Sequence, residues 1–431
     1  MIEMSFVPIA MTPLYSSHVR WRIFSFLFGF GFIAYFQQKS LTIVADQMMP
    51  QLHLSQLQIG WLEQAFVIGY ALFQLPGGIF GQRFGARLGF TIIGLAAFFA
   101  TIATPLAPVL LNGQGLFLAL LCVQLFLGVA QGAIFPISAG VFEAWFPPER
   151  WSFIQGLQSM GLGLGAALTA PLIATLMLKV GWQRSLLWTS IPALLVIAGW
   201  AWYGRNTPRE HRRVSPAELA TIGDRSQEQV TGAITLKRVW ASITNRNVFL
   251  LAISYVSMNY AYYLLSNWVF LYLVQERHFS LLESGWLATT PPLAAGLGAG
   301  VGGVLTGVLC KRFGLRWGYR WVPLLSLPSA GVFLLMGVNA DNPYLAVLAL
   351  ACSFFCIELT EGSYWGTVMS VAKGDTMIAG GVMNTGGNLG GIIGIPIVAY
   401  LSGQHEWHAA FLIGAAAAIL SAVAWLGINA E

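Results

Sequence analysis

The feature that most restricts this chain is a row of twelve apolar stretches, each about as long as a bilayer is thick. A helix needs about 20 apolar residues to cross the hydrocarbon. The candidates are 23–48, 57–80, 88–108, 115–142, 153–178, 185–204, 247–274, 284–309, 321–339, 344–371, 377–402 and 408–428. Only 9% of the 431 residues are charged, where soluble domains carry about 25%. An all-α polytopic membrane protein follows, since unpaired backbone groups are not tolerated in lipid.

Orientation is read from the basic residues. The linkers on one side hold 18 Lys and Arg and those on the other hold three, Lys179, Arg184 and Arg277. By the positive-inside rule both termini are cytoplasmic, so an inner, cell-membrane location is expected. The same pattern explains the net charge of +5 without a nucleic-acid partner. No cleavable signal is read in residues 1–20, so the first span directs insertion. The polar stretch 205–246 separates six spans from six, giving units at 1–204 and 247–431. Its Ser215-Pro216-Ala217-Glu218 is a helix start, with a capping serine and an acid at the positive dipole end.

The chain also repeats itself. Gly78 to Arg87 (GIFGQRFGAR) returns as Gly307 to Arg316 (GVLCKRFGLR) at an offset of 229. Gly156, Gly161, Leu164, Gly165 and Pro171 return as Gly381, Gly386, Leu389, Gly390 and Pro396 at an offset of 225. Gln131-Gly132 returns as Glu361-Gly362 at 230. Three ordered matches at nearly one offset indicate duplication. Two parallel six-span repeats place a solute path between them, opened to either side by rocking. Arg83, Arg87, Arg312 and Arg316 fall in the repeated loop, where a gating role and simple anchoring are equally good readings.

Charge inside an apolar stretch is costly, roughly 2.5–3.5 kcal/mol at mid-bilayer, so the survivors are informative. They are Lys39, Glu63, Glu358 and Glu361. Glu358 and Glu361, spaced i, i+3, would share a helix face, and two adjacent carboxylates resist double ionisation. Both are proton-coupling candidates, Glu361 first. The plainer reading is a neutral acid hydrogen-bonded to a neighbouring helix. Lys39 is a candidate anion partner, or else an acid's partner. A polar lining is read from Tyr35, Gln38, Gln131, Tyr263, Trp365, Asn384 and Asn388, any one of which could instead be helix-packing glue. Glu63 reads as a solvated or gating residue. The cysteines (Cys122, Cys310, Cys352, Cys356) read as small buried hydrophobes. No metal-binding spacing and no nucleotide-binding loop occur in the sequence, so neither a cofactor nor ATP-driven pumping is expected.

The G-x-x-x-x-R-F-G-x-R loop after the second and eighth spans resembles the signature loop of the major facilitator superfamily. More narrowly, Tyr35 to Ala45 (YFQQKSLTIVA), Trp145 to Arg150 (WFPPER), Ser215 to Leu219 (SPAEL), Thr360 to Trp365 (TEGSYW) and Met383 to Gly391 (MNTGGNLGG) resemble its anion:cation symporter branch of hexuronate, galactonate and sialate transporters. The resemblance implies a monomeric secondary transporter that is not an enzyme and carries a small polar or acidic solute with a proton. Several charged positions of the pattern are neutral here. Gln37 and Gln38 stand for its Asp-Arg, Gln124 and Gln131 for its Arg and Glu, and Gln82 and Lys311 for the signature-loop acid. That departure leaves an exporter or facilitator of a neutral or amphiphilic solute as the second reading.

Overall fold

The computed structural model describes residues 17–223, 234–372 and 374–430. Part of the linker, 224–233, lies outside these. Among the described residues the chain is helical throughout. Nine helices are long and apolar enough to cross a membrane. Two of these, Trp151–Tyr203 and Thr290–Asn339, bend at Gly181 and Gly314 and each supply two spans. Gln56–Phe84, 29 residues long, is less apolar because of its glutamines and Glu63, and completes twelve. The spans are Val19–Leu52 (span 1), Gln56–Phe84 (2), Ala86–Leu110 (3), Gly113–Gly132 with Ile134–Trp145 (4), 151–180 (5), 182–203 (6), Arg246–Gln275 (7), Leu281–Leu287 with 290–313 (8), 315–339 (9), Pro343–Glu358 with Glu361–Val371 (10), Thr376–Gly403 (11) and Trp407–Trp425 (12). Most are longer than the apolar stretches, because helices continue into the interface where Trp, Arg and Gln are tolerated.

Six spans per half put residue 17, the linker and residue 430 on one face of the bundle, the linker side. The linker builds a fastening there. Ser215 caps Pro216–Ile222 by accepting from the Glu218 amide at 3.2 Å. Glu218, fully buried, turns to the start of span 1 and accepts from the Val19 and Arg20 amides at 3.1 and 3.0 Å and from Ser17 Oγ at 2.5 Å. A carboxylate thus satisfies orphan donors at a helix N-terminus. A second linker helix, Leu236–Thr244, precedes span 7.

The repeated loop works through its glycine. Gly85 and Gly314 both have positive φ (84° and 77°) with ψ of 156° and 170°, a region open essentially to glycine alone. It lets span 2 reverse into span 3, and span 8 into span 9, with no further residues. After the first turn, Arg87 donates Nη2 and Nε to the Ala201 carbonyl at 2.6 and 3.1 Å, so a cation meets the carbonyl end of span 6.

Candidate functional site

The two halves meet along two seams, and the duplicated glycines make both. In the first, Gly156 of span 5 lies against span 8, where an added Cβ would come 2.5 Å from the Ala299 carbonyl and 2.9 Å from Gly303 Cα. In the second, a Cβ on Gly381 of span 11 would meet the Gln74 carbonyl of span 2 at 2.8 Å. The repeat offsets map Gly156 onto Gly381 and Gln74 onto Gly303, so the seams are the same contact made twice. Gly78, whose Cβ would sit 2.1 Å from the Met377 carbonyl, extends the second seam toward the linker side. There Gln82 Nε2 donates to the Gly374 carbonyl at 2.8 Å, and Arg238 of the linker pairs with Asp375 at the head of span 11. These contacts tie span 2 and the linker to the head of span 11 on the linker side.

Above them sits a polar cluster centred on span 10. Its helix stops at Glu358 and restarts at Glu361. Thr360 drives the break: its hydroxyl and its amide both donate to the Ile357 carbonyl, at 2.7 and 3.2 Å, tightening the turn. Gly302 of span 8 admits the displaced Leu359 carbonyl, which an added Cβ would approach to 2.0 Å. Span 4 breaks at Ala133, just after Gln131-Gly132, the repeat partner of Glu361-Gly362. Leu359 and Thr360 keep right-handed helical φ/ψ across the interruption, and Glu358 and Glu361 stay close enough to feel each other's charge. They flank a break, with Glu361 in the first turn of the second half-helix, at the positive end of its dipole.

Both oxygens of Glu361 are held. Tyr255 of span 7 donates its hydroxyl to Oε1 at 2.8 Å, and Trp365 donates Nε1 to Oε2 at 3.2 Å. The Trp365 ring stacks on Phe135 of span 4, with centroids 5.7 Å apart and planes at 22°, so a ligand of the carboxylate is itself clamped by the opposite half. Glu358 is buried and within electrostatic reach of Glu361, Tyr255 and Tyr262. Around them stand Tyr35, Tyr70, Tyr262 and Tyr263, with the Tyr35 and Tyr262 hydroxyls facing each other between the halves. Asn384 Nδ2 donates to Gln74 Oε1 across the second seam at 2.8 Å, beside Tyr70. Tyr263 donates to Asn388 Oδ1 at 3.0 Å. The result is a buried acid between two helical halves, ringed by hydroxyls and amides.

A sequence profile of the Major Facilitator Superfamily matches residues 27–377. The chain belongs to that superfamily. It is a multi-pass membrane transporter, and its relatives are transporters too. It is 27% identical to the probable sulfoacetate transporter SauU of Cupriavidus necator over 411 residues, 92% of this chain and 91% of that protein. Identity to the hexuronate transporter of Bacillus subtilis is 26%, covering 93% of this chain and 92% of that one. For the probable galactarate/D-glucarate transporter GarP of Escherichia coli K12 it is 25%, covering 95% and 94%. Among solved structures, the major facilitator FucP in its outward conformation matches with a TM-score of 0.74 at 15% identity, covering 95% of this chain and 99% of that one. The proton:xylose symporter XylE, bound to 6-bromo-6-deoxy-D-glucose, matches at 0.72 and 13%, covering 95% of each chain. At these identities the structural likeness speaks for the major facilitator fold.

Within that fold, the residues singled out from sequence fall into four places. Glu358, Glu361, Tyr35, Tyr263, Trp365, Asn384 and Asn388 come together at the span 10 break. Gln131 instead donates to Gln37 Oε1 at 3.0 Å inside the first half, where both line a small apolar cavity among spans 1, 3, 4 and 6. Gln37, not Gln38, is the glutamine of span 1 with a buried partner. Lys39 lies one turn beyond Tyr35, within reach of the field of Glu63, whose Oε1 accepts from Thr42 at 2.7 Å. In the loops, Arg83 and Arg312 are exposed beside the rings of Phe84 and Phe313. Arg87 caps span 6, but its counterpart Arg316 does not cap span 12. Arg320, one turn later, donates to the Ile428 carbonyl at 2.6 Å instead. Sequence reasoning missed Gln74, Tyr70, Tyr255 and Tyr262, which carried no signal beyond being polar residues in apolar helices.

Proposed function

We propose that this transporter couples a proton to the movement of a small polar or acidic solute, with Glu361 as the proton carrier and Glu358 as its partner. The observation behind this reading is that Glu361 is held by Trp365, which in turn stacks on the opposite half. A carboxylate with two donors is stabilised as the anion. Rocking that separates Phe135 from Trp365 loosens one donor and leaves a charge in a low-dielectric site, which a proton neutralises. Protonation and the arrangement of the halves are then linked, the requirement for coupled transport. The moving bodies are 1–204 and 247–431, tethered by 205–246, in a protein that acts as a monomer. Tyr35, Tyr263, Trp365, Asn384 and Asn388 contact the solute. Gln38 and Lys39 meet it at the mouth, Gln131 supports span 4 from behind, and Arg83, Arg87, Arg312 and Arg316 serve the gating loops. With the basic loops in the cytoplasm of a cell whose inner membrane houses the protein, the linker side, where spans 2 and 11 are tied, is cytoplasmic.

The relatives' names, for hexuronate, galactarate or glucarate, and sulfoacetate, direct the first assays to small acids. One observation favours the second reading, a neutral or amphiphilic solute that is exported or facilitated. Among the described residues, no lysine or arginine stands around Glu361, and Lys39 is a turn away beside Glu63. The test is uptake of radiolabelled glucuronate, galactarate, sulfoacetate and a neutral sugar into proteoliposomes under an imposed pH gradient. Glu361→Gln is expected to abolish gradient-driven accumulation and leave solute exchange intact. Undiminished accumulation removes Glu361 from the role.

A further inference from the structure

At the linker-side end of span 6 the chain folds back on itself and forms a recess that solute transport does not use. It is lined by Trp202, Tyr203, Arg205, His211, Arg212 and Arg213 and has a volume of about 160 Å³, several times the roughly 30 Å³ of a liquid water. Its cations are not equivalent. Arg205 is turned inward, donating Nη1 to the Trp202 and Gly204 carbonyls at 3.0 and 2.7 Å. Arg213 lies over both aromatic rings, 5.7 Å from the Trp202 centroid and 5.8 Å from that of Tyr203. Arg212 is exposed and has no ion pair or hydrogen bond among the described residues. His211, buried between Trp145 and Tyr203, accepts the Arg213 amide on Nδ1 at 3.2 Å, which leaves its proton on Nε2 as a donor. Two acids lie near: Glu218, whose charge reaches His211, is engaged by the Val19 and Arg20 amides and Ser17 Oγ, and Glu210 by the Asn206 amide at 3.3 Å and Thr207 Oγ1 at 3.1 Å. The recess is lined by three arginines and a histidine, and neither acid is among its lining residues.

Span 6 leads away from the recess along an apolar stripe. Trp188, Ile191, Leu195 and Trp202, spaced three, four and seven apart, are all exposed, Leu195 at 68% and Trp202 at 67%. A face of that kind at a bilayer boundary accepts acyl chains, and basic pockets at helix ends accept lipid phosphates. We propose that this recess binds a phosphate-bearing anion, with the headgroup phosphate of an anionic phospholipid as the source that the adjoining stripe favours. The phosphate sits between Arg212, Arg213 and the His211 Nε2–H, and the chains lie on span 6.

The test is native mass spectrometry of the purified full-length transporter, titrated in parallel with phosphatidylglycerol, phosphatidylcholine and inorganic phosphate. Wild-type protein is expected to retain phosphatidylglycerol over phosphatidylcholine. Arg212→Gln combined with Arg213→Gln is expected to weaken that binding roughly tenfold or more, since each basic residue near a membrane surface contributes about 1 kcal/mol. Lys179→Gln, on the opposite side, serves as the control for general charge loss and should keep wild-type binding. Inorganic phosphate binding as well as the lipid, and lost in the same double variant, would support the phosphate site and assign its source to the aqueous phase. Equal retention of both lipids, or a double variant that binds phosphatidylglycerol like wild type, overturns the proposal.

Discussion

Single residues divide into those whose type exposed them and those whose neighbours make them matter. Glu358 and Glu361 were visible in the sequence, because a carboxylate in an apolar stretch has few purposes. Tyr255 was not, because tyrosines serve equally well as interfacial anchors and packing groups, and only its 2.8 Å bond to Glu361 separates it from Tyr260 on the same span. Gln131 reads as solute lining because it lies seven residues from Gln124, on one face of span 4. The structure turns it to Gln37 within its own half, a rotation that spacing alone does not fix. His211 carries a prediction at this scale. Burial first, then the Arg205 and Arg213 guanidinium groups, hold its imidazole below its ordinary value, with Glu218 opposing. The unfolded chain then binds a proton that the folded one refuses. This contribution to stability is complete above the ordinary value of about 6.5 and fades as pH falls through the folded value. Thermal unfolding at pH 5.5 and 7.5 checks it. Wild type should lose more melting temperature on acidification than His211→Phe, and equal losses would contradict it.

At the scale of elements, helix identity was legible almost everywhere and helix interruption almost nowhere. Twelve spans follow from hydropathy, and the cap at Ser215 from residue type. The break between Glu358 and Glu361 arises from a threonine bonding back to Ile357 and from the space left by Gly302 on another span, so it depends on tertiary contact. The repeated loop lies between these cases. The sequence shows that RFG recurs, and the structure shows that the glycine is the working residue. Gly314 has open space around a hypothetical Cβ, whereas Gly85 faces the Asn206 side chain at 2.6 Å. Gly314→Ala should therefore cost only the backbone term, about 1–3 kcal/mol, and Gly85→Ala that plus the displacement of Asn206, which now accepts the Arg87 amide at 2.9 Å. Chemical or thermal unfolding in detergent should rank wild type above Gly314→Ala and Gly314→Ala above Gly85→Ala. An unchanged Gly314→Ala would show that the turn can be made another way.

Over the whole molecule, duplication supplies both the shape and the constraint on how it moves. Two seams at equivalent positions, Gly156 against Gly303 and Gly381 against Gln74, give the halves a pair of matched contacts, and the ties at Gln82 and Arg238 lie on the linker side of them. Glu361 sits between the seams, bonded to a tryptophan that the other half clamps. From sequence, the repeat offsets gave the two halves but not the register of their contact, which needs Gly156 and Gly303 brought together from positions far apart in the chain. Proton coupling through Glu361 is the claim on which the functional reading turns. Its most direct test is a pH-sensitive dye sealed inside proteoliposomes, with no gradient applied and a solute that passes the uptake assay added outside. Wild-type transporter should acidify the lumen as solute enters, and Glu361→Gln should leave the lumen pH unchanged while still exchanging labelled solute in vesicles preloaded with the same solute. Solute entry with an unchanged lumen in wild type, or a lumen that turns alkaline, would contradict the account.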